Sequence, residues 1–296
     1  TLSAAYARIS RDPRPIGLLR REAAAEVERA RESNRRIVFG YGHGSVAEHA
    51  FFNFDLLDLS RLAAEAVQSF RLASFTEKSQ RYIRLRDDYV LPEEVAALGL
   101  ERPFRELVEL QNRTYHLLYE RLREHVFAEH PELARDRSRR RTLEGWAKED
   151  ARYVTSLATE GQLGMTLNAR SLEAMIRRLA GHPLAEVRQV AARLHELALG
   201  VAPSLVCFTE PRAELLAARE ELARLAAELL GREAERTLPG ATGAVQLLSA
   251  TPEGDRTVAA ALLHSTSAEP WTTCLARARA LSDEERGRVV RAALGG

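Results

Sequence analysis

The stretch Gly42–Arg61, GHGSVAEHAFFNFDLLDLSR, carries the change from helical to extended structure in this chain. Its glycines indicate a turn, and Ser45 and Glu48 have the spacing of a helix capping box. Over part of Phe51–Leu59, apolar and polar residues alternate, which predicts a β-strand. Ser60 follows, and serine is one of the residues preferred at the N-cap of a helix. The stretch therefore predicts a strand placed between helices.

On both sides of this strand the chain is rich in strong helix formers. The spacing of apolar residues predicts helices at about 16–35, 60–73, 103–127, 146–157, 171–180, 183–199 and 211–232. Pattern alone therefore predicts a helix-dominated fold with few strands.

Composition limits the classes of function. The chain has 296 residues, of which 45% are apolar and 29% charged, as in an ordinary globular protein. The net charge of +1 does not indicate a nucleic-acid partner. No run reaches the roughly 18–20 apolar residues of a membrane helix, and the N-terminus lacks an export pattern. We therefore expect a cytoplasmic protein without a membrane partner. Cys207 and Cys274 are interpreted as buried small hydrophobic residues in a reducing compartment.

The common catalytic motifs do not occur in the sequence. There is no glycine-rich phosphate loop, no G-x-S-x-G, no H-E-x-x-H and no C-x-x-C. His43 and His49 flank Glu48, but a metal site needs a third ligand, so turn stabilisation is favoured and no metal is predicted. The remaining possibility is a site assembled from several segments.

The stretch Ser74–Tyr82, SFTEKSQRY, places Glu77, Ser79 and Arg81 at alternate positions. In extended backbone these side chains share one face, about 6–7 Å apart. An acceptor, a hydroxyl and a guanidinium in a row suit a ligand with carbonyl, hydroxyl and phosphate groups. A solvated edge strand shows the same pattern, and it is the favoured interpretation for such a tripeptide in isolation.

Three segments together resemble the flavin-dependent thymidylate synthases. They are GHGSVAEHAFFNFDLLDLSR (42–61), FRLASFTEKSQRY (70–82) and LNARSL (167–172). They are similar, in the same order, to the family's G-H-x-S-x-x-E-H segment, its R-H-R-x(7)-S-x-R-Y signature and its N-A-R-S/E-L segment. The resemblance covers about residues 1–210. It implies a helix-rich α+β fold with a small curved antiparallel sheet and long helices that pack between subunits.

The resemblance also implies a reaction and a substrate site. Family members methylate dUMP with methylenetetrahydrofolate and FAD, use an added reductant, and build their site between subunits of a homo-oligomer. Glu77, Ser79 and Arg81 match residues that bind dUMP from a neighbouring subunit. Arg170 matches a further arginine that contacts dUMP. No catalytic residue is assigned.

The same resemblance implies a flavin site with several departures. His43 and Ser45 match positions near the flavin, and Arg71 matches the last arginine of R-H-R. The first two positions of R-H-R hold Ser69 and Phe70, which supply neither a cation nor an imidazole, so FAD binding is in question.

The sequence departs from the family pattern at further positions. Ala66 replaces a glutamine, with Gln68 nearby as a substitute, and Thr76 replaces an asparagine. Glu196 occupies the position of the arginine that activates dUMP, where a carboxylate would oppose ionisation of the pyrimidine. Arg193 and His195, on adjacent turns, are the candidates to replace it.

A weak internal similarity suggests a duplication. The segment from Thr257, TVAAALLHSTSAEPWTTCLARA, resembles the opening TLSAAYARISRDPRPIGLLRRE, although unrelated helices can share such a pattern. We predict a domain at 1–210, a helix and linker at 211–244, and the start of a second repeat at 245–296. The chain is then the first part of a tandem protein whose second copy supplies the missing half of the site.

Three functional hypotheses follow. The first is a divergent thymidylate synthase that needs a complementary half or an oligomer. The second is a degenerate, non-catalytic homologue that binds nucleotide or serves assembly. The third is an α-rich interaction protein in which Glu77, Ser79 and Arg81 are a solvated strand edge.

Overall fold

The structure is a computed structural model that describes residues 1–9, 11–230, 245 and 247–294. Two units are present, Thr1–Arg224 and Leu225–Gly296. Residues 231–244 of the predicted linker lie outside the described part. The division at 210, 244 and 245 stays a prediction.

The sheet of the first unit has three strands in the order β1–β3–β2, and both pairings are antiparallel. The strands are β1 (Phe51–Ser60), β2 (Ser74–Glu77) and β3 (Glu160–Asn168). The prediction of a strand at 51–59 is confirmed, and so is the helix-rich α+β class. β3 was not predicted, although it pairs with both of the other strands.

Helices account for most of the remaining described residues. They are α1 (Leu2–Ile9), α2 (Ile16–Ala25), α3 (Val27–Asn34), α4 (Arg61–Gln68), α5 (Glu93–Ala97), α6 (Glu101–Glu129), α7 (Pro131–Arg135), α8 (Arg140–Ala151), α9 (Ala169–Ala180), α10 (Ala185–Val201), α11 (Ala213–Leu230), α12 (Gly254–Ser265), α13 (Trp271–Ala280) and α14 (Asp283–Ala293). There is also a short π-helix at Arg35–Gly40, and there are short 3₁₀ helices at Gly44–His49 and Arg152–Val154.

The main core lies where the sheet meets three helices. Leu163, Met165 and Leu167 of β3 are buried together with apolar residues of α4, α9 and α10. Ser60 caps α4 as predicted, because its hydroxyl oxygen accepts a hydrogen bond from the Ala63 amide at 3.0 Å. The same hydroxyl donates to a carboxylate oxygen of Glu186 at 2.6 Å. The end of β1 and the start of α4 are therefore tied to α10.

Two predicted helices are shorter than expected. The helix at 16–35 breaks at Glu26 (φ −115°, ψ 66°), because α2 and α3 bury different residues in the small core they share with α1. The helix at 60–73 ends at Gln68, since the chain must reach Ser74 in extended form to pair with β3. Tertiary packing overrides local propensity at both places.

Three other predictions are wrong. The helix predicted at 146–157 lies earlier, as α8, and its end continues only as a 3₁₀ turn. Ser45 makes no capping bond in its 3₁₀ helix, whose N-cap is His43, because Glu48 is turned toward Arg170. Cys207 is exposed, since it lies in the loop after α10.

The second unit contains the helix triad α12–α14. Its small core consists of Ala259, Ala260, Cys274 and Ala278. Cys274 is therefore buried as expected. Across the described residues, no helix combines the length and the apolar character needed to cross a bilayer.

Candidate functional site

Glu77, Ser79 and Arg81 lie at the end of β2, but only Glu77 belongs to the strand. The Lys78 amide still donates to the Gln162 carbonyl at 3.0 Å, after which the chain turns. The amides of Tyr82 and Ile83 then bond the Ser79 carbonyl. The three side chains therefore do not share the one extended face that was predicted, because the backbone beyond Glu77 is a turn.

The Glu77 carboxylate is held from α4. Arg61 Nη1 donates to both carboxylate oxygens at 2.9 Å, and Gln68 Nε2 donates to one of them at 2.9 Å. Gln68 was predicted as a substitute for the missing glutamine, and it contacts the predicted substrate residue. Arg61 was not predicted. The only indication in the sequence is that Arg61 is the first residue of α4, the helix that precedes β2.

Arg81 has an accessible guanidinium. Its side chain is 48% exposed, its nearest carboxylate is Glu149 at 3.6 Å, and it lies over the Tyr82 ring at 5.7 Å. The Ser79 hydroxyl oxygen accepts from the Arg81 amide at 3.2 Å, which fixes the turn. A loose ion pair at the surface contributes little, so the guanidinium is available to an anionic ligand.

Arg170 lies near the other end of β3, in the first turn of α9. Asn168 caps that helix by accepting from the Ser171 amide at 2.8 Å. Arg170 Nη1 donates to Glu48 at 2.5 Å, and the Arg170 side chain remains 60% exposed. A Cβ at Gly44 would lie 3.4 Å from Arg170 Nε, so the glycine admits the arginine. Glu48, which sequence reasoning assigned to a cap, is thus the partner of the predicted substrate residue Arg170.

The strand register separates these two groups of residues. Glu77 is opposite Leu163, whereas Arg170 follows Asn168, the last residue of β3. The five residue steps from Leu163 to Asn168 span about 16–17 Å of strand. Within one chain the structure therefore brings Glu77, Ser79 and Arg81 together and leaves Arg170 apart.

His43 and Ser45 line an open cavity of about 1070 Å³ in the first unit. The charged side chains of its wall are five arginines and three carboxylates: Arg8, Arg11, Arg14, Arg29, Arg36, Asp12, Glu22 and Glu32. Hydrogen bonds from Arg14 lower the pKa of Asp12 to about 2, so that carboxylate stays ionised. Arg71 is exposed after α4 and is not part of this wall.

The departures from the family pattern have structural roles. The Ser69 hydroxyl donates to the Ala66 carbonyl at 2.7 Å where α4 ends, and Phe70 is half-buried against the main core. Glu196 is paired with Arg193 on the exposed side of α10. His195 Nε2 lies 3.3 Å from the Thr209 hydroxyl. The described residues contain no group of three side chains able to hold a metal ion.

Comparison with known proteins assigns the first unit. A model of the family "thymidylate synthase complementing protein" matches residues 1–204. Similar relatives are named "Flavin-dependent thymidylate synthase", from Clostridium tetani (31% identity; 53% of this chain and 66% of the relative), Geobacter sulfurreducens (30%; 59% and 70%) and Pyrococcus abyssi (31%; 54% and 59%). The chain thus spans between 59% and 70% of the length of these three relatives.

Proposed function

The chain belongs to the thymidylate synthase complementing protein family, and on that premise we propose that it acts in flavin-dependent thymidylate synthesis. The reaction is methylation of dUMP to dTMP with methylenetetrahydrofolate, FAD and a reductant. The observation that carries this proposal is the pair of exposed guanidiniums, Arg81 and Arg170, each set in a family motif and each held by one carboxylate.

The dUMP site takes one set of residues from each of two copies. Glu77, Ser79 and Arg81 come from one copy, and Arg170 comes from the other, because a strand length of about 16–17 Å separates the sets within a chain. Arg81 bonds the phosphate or a base carbonyl, while Ser79 and Glu77 fix the orientation. The partner copy is a second molecule in a homo-oligomer, or a second repeat of the same kind.

The FAD site is the arginine-lined cavity, with Arg71 added from a neighbouring copy. The volume of about 1070 Å³ is at the upper end of small-molecule sites, and the excess of arginines over carboxylates matches a dinucleotide's negative charge. His43 and Ser45 would hold the flavin end. FAD, when bound, supplies the hydride chemistry of the reaction. The residues present therefore fit the cofactor in part, since Ser69 and Phe70 add no charge.

Two observations favour a second candidate, a nucleotide-binding homologue without catalysis. Glu196 places a carboxylate where the activating arginine is expected, and Arg193 is engaged with it. Phe70 is committed to the core, where it supplies no proton donor. Under this alternative the chain binds dUMP or serves assembly and does not turn substrate over.

Absorbance and calorimetry distinguish these candidates. A flavin spectrum of the purified chain together with dUMP binding supports the enzyme, and dUMP binding without flavin supports the second candidate. Arg81→Ala and Arg170→Ala should each weaken dUMP binding by about 1.5–3 kcal/mol, the range for a charge-assisted contact. Arg178→Ala, an exposed arginine on the same helix as Arg170, is the matched control and should leave binding unchanged. If dUMP binds to the wild-type chain neither as an oligomer nor together with a second repeat, both candidates are wrong.

A further inference from the structure

Residues 79–87 form a loop that leaves the sheet and returns to nearly the same place. Before the loop, the Lys78 amide donates to the Gln162 carbonyl at 3.0 Å. After it, the Asp88 carbonyl accepts from the Glu160 amide at 3.0 Å. The two β3 residues are two positions apart, which is about 6–7 Å of strand. A compact loop of this length whose ends lie close together is an Ω-loop, and such loops frequently carry function.

The second half of this loop is attached to one face of α6. Four α6 residues with the spacing i, i+3, i+4 and i+8 each bond one loop residue. They are Asn112 with the Asp87 carbonyl at 3.2 Å, Tyr115 with the Leu85 amide at 3.5 Å, His116 with the Asp87 carboxylate at 2.6 Å and Glu120 with the Arg84 guanidinium at 2.9 Å. Because β3 fixes only the ends of the loop, these contacts determine the path of its second half.

His116 connects the two charged side chains in this half of the loop. Arg84 Nε donates to His116 Nδ1 at 3.4 Å, so the ring proton is on Nε2, which lies 2.6 Å from Asp87 Oδ1. Asp87 has a left-handed backbone with a φ of 70°, which is uncommon for a residue other than glycine. The neutral imidazole therefore holds the carboxylate of the residue at which the loop turns back toward β3.

The bond between His116 and Asp87 contributes little to the stability of the whole fold. Their side chains are 28% and 56% exposed, and pairs at such partly exposed positions are weak. Asn112 and Tyr115, in contrast, are buried, so their contacts belong to the packing of the fold. The exposed bond therefore acts on the order of the loop, which can open locally without global unfolding.

The held segment is close in sequence to the two predicted substrate residues of the loop. The amides of Tyr82 and Ile83 bond the Ser79 carbonyl, so Ser79 and Arg81 share one turn. Only two residues separate Arg81 from Arg84, the first residue bonded to α6. Release of the second half of the loop therefore also frees the turn that carries the hydroxyl and the guanidinium.

We propose that His116 is a positioning residue, which acts through Asp87 to hold the 79–87 loop and thereby fixes the places of Ser79 and Arg81. The proposal rests on the function proposed above, in which these two residues bind dUMP. It adds a residue from α6, outside the motifs of the family, to the requirements of that site.

The test measures the order of the loop and the affinity for dUMP on the same preparations of the full chain. Hydrogen exchange of the backbone amides in residues 79–87 is followed by mass spectrometry, and dUMP binding by calorimetry. His116→Ala should raise the exchange rate roughly tenfold and weaken dUMP binding roughly threefold to tenfold, as for the loss of one partly exposed hydrogen bond to a charged group. The midpoint of urea unfolding should change little.

Two further variants separate positioning from a structural role. His116→Gln keeps a donor for Asp87 and an acceptor for Arg84, so it should restore most of the protection from exchange and most of the affinity. His125→Ala removes an exposed histidine of the same helix, which lies 3.9 Å from Glu129, and should leave both quantities unchanged.

The two measurements can fail separately. If exchange in the loop does not respond to His116→Ala, the proposal is overturned whether or not dUMP binds. It is also overturned if the loop responds while dUMP affinity stays at the wild-type value, or if glutamine restores neither quantity. If the wild type binds no dUMP, the function proposed above is wrong, and faster exchange in His116→Ala still supports His116 as the residue that holds the loop.

Discussion

Restoring the missing Arg-His pair, with Ser69→Arg and Phe70→His, should raise flavin affinity at a modest cost in stability. The two side chains lie where α4 ends, next to Arg71. Ser69 is exposed, so a long side chain can extend into solvent or toward a neighbouring copy. Phe70 is half-buried against the main core, and the imidazole that replaces it keeps a planar ring but loses apolar contact.

The magnitude follows from these environments. Full burial of a phenylalanine side chain is worth about 1.5–3 kcal/mol, so replacing a half-buried one should cost about 1–2 kcal/mol. Loss of the Ser69 hydrogen bond to the Ala66 carbonyl adds about 0.5–1 kcal/mol. The total is small against a typical unfolding free energy of about 5–15 kcal/mol, so the variant should fold. One new charge-assisted contact should tighten FAD binding by roughly 10- to 150-fold.

The assay is FAD titration followed by flavin fluorescence, with urea unfolding of the same preparations. Ser69→Arg alone should give part of the gain, and Phe70→Leu should cost stability without any gain. A double variant that unfolds like the wild type, within about 3 kcal/mol, yet binds FAD no better would refute the reasoning. That result would mean that the flavin does not reach the end of α4.

Three further perturbations test other parts of the structure. Ser60→Ala should destabilise the fold by about 2–3 kcal/mol in urea unfolding, because it removes both the α4 cap and the hydroxyl's hydrogen bond to Glu186, while the Ser60 amide keeps its own bond to Glu186; Ser60→Thr should retain most of the stability. Burial and the nearby charges of Asp58 and Asp88 raise the pKa of Glu160 in the folded state. The protonated carboxyl therefore makes its full contribution to stability below the pKa of the unfolded chain, and this contribution is lost as the pH rises through the folded-state pKa. Glu160→Gln should therefore be more stable than wild type at pH 7, with the difference shrinking below about pH 4.5; a constant difference would exclude the linkage. Glu196→Arg should cost under about 1 kcal/mol, since it breaks only an exposed ion pair, and should tighten dUMP binding if this position faces the pyrimidine.

The parts of the fold that sequence predicted are those where a local signal and tertiary packing agree. The alternation in 51–60 and the serine at its end specify β1 and the α4 cap. The missed strand, β3, has the same alternation in Leu163, Met165 and Leu167, all buried. Two glycines and several polar residues lower its apparent strand propensity, so only its two partner strands reveal it.

The site was harder to predict than the fold, because its geometry depends on which side chain each charged residue pairs with in the folded chain. The sequence motifs identify Glu77 and Arg170, but they do not indicate that Arg61 and Glu48 hold them. The even spacing of Glu77, Ser79 and Arg81 predicted one extended face, yet β2 ends as soon as its pairing with β3 is complete. The arginine-lined cavity draws on α1, α2, α3 and the turns beside them, and contacts between separate segments are not encoded by any local period.

The length of β3 explains why one chain does not bring all four predicted substrate residues to one place. Glu77 lies opposite one part of the strand, and Arg170 follows its far end, so under the proposed function a uridylate at either place would meet only one set of residues within a chain. Phe70 and Glu196 have roles in packing and surface pairing that need no ligand. Under the proposed function, a group that is missing from this chain needs to be present only once in each pair of copies, so a partner that carries a proton donor at the position of Phe70 and a cation at the position of Glu196 would complete the site.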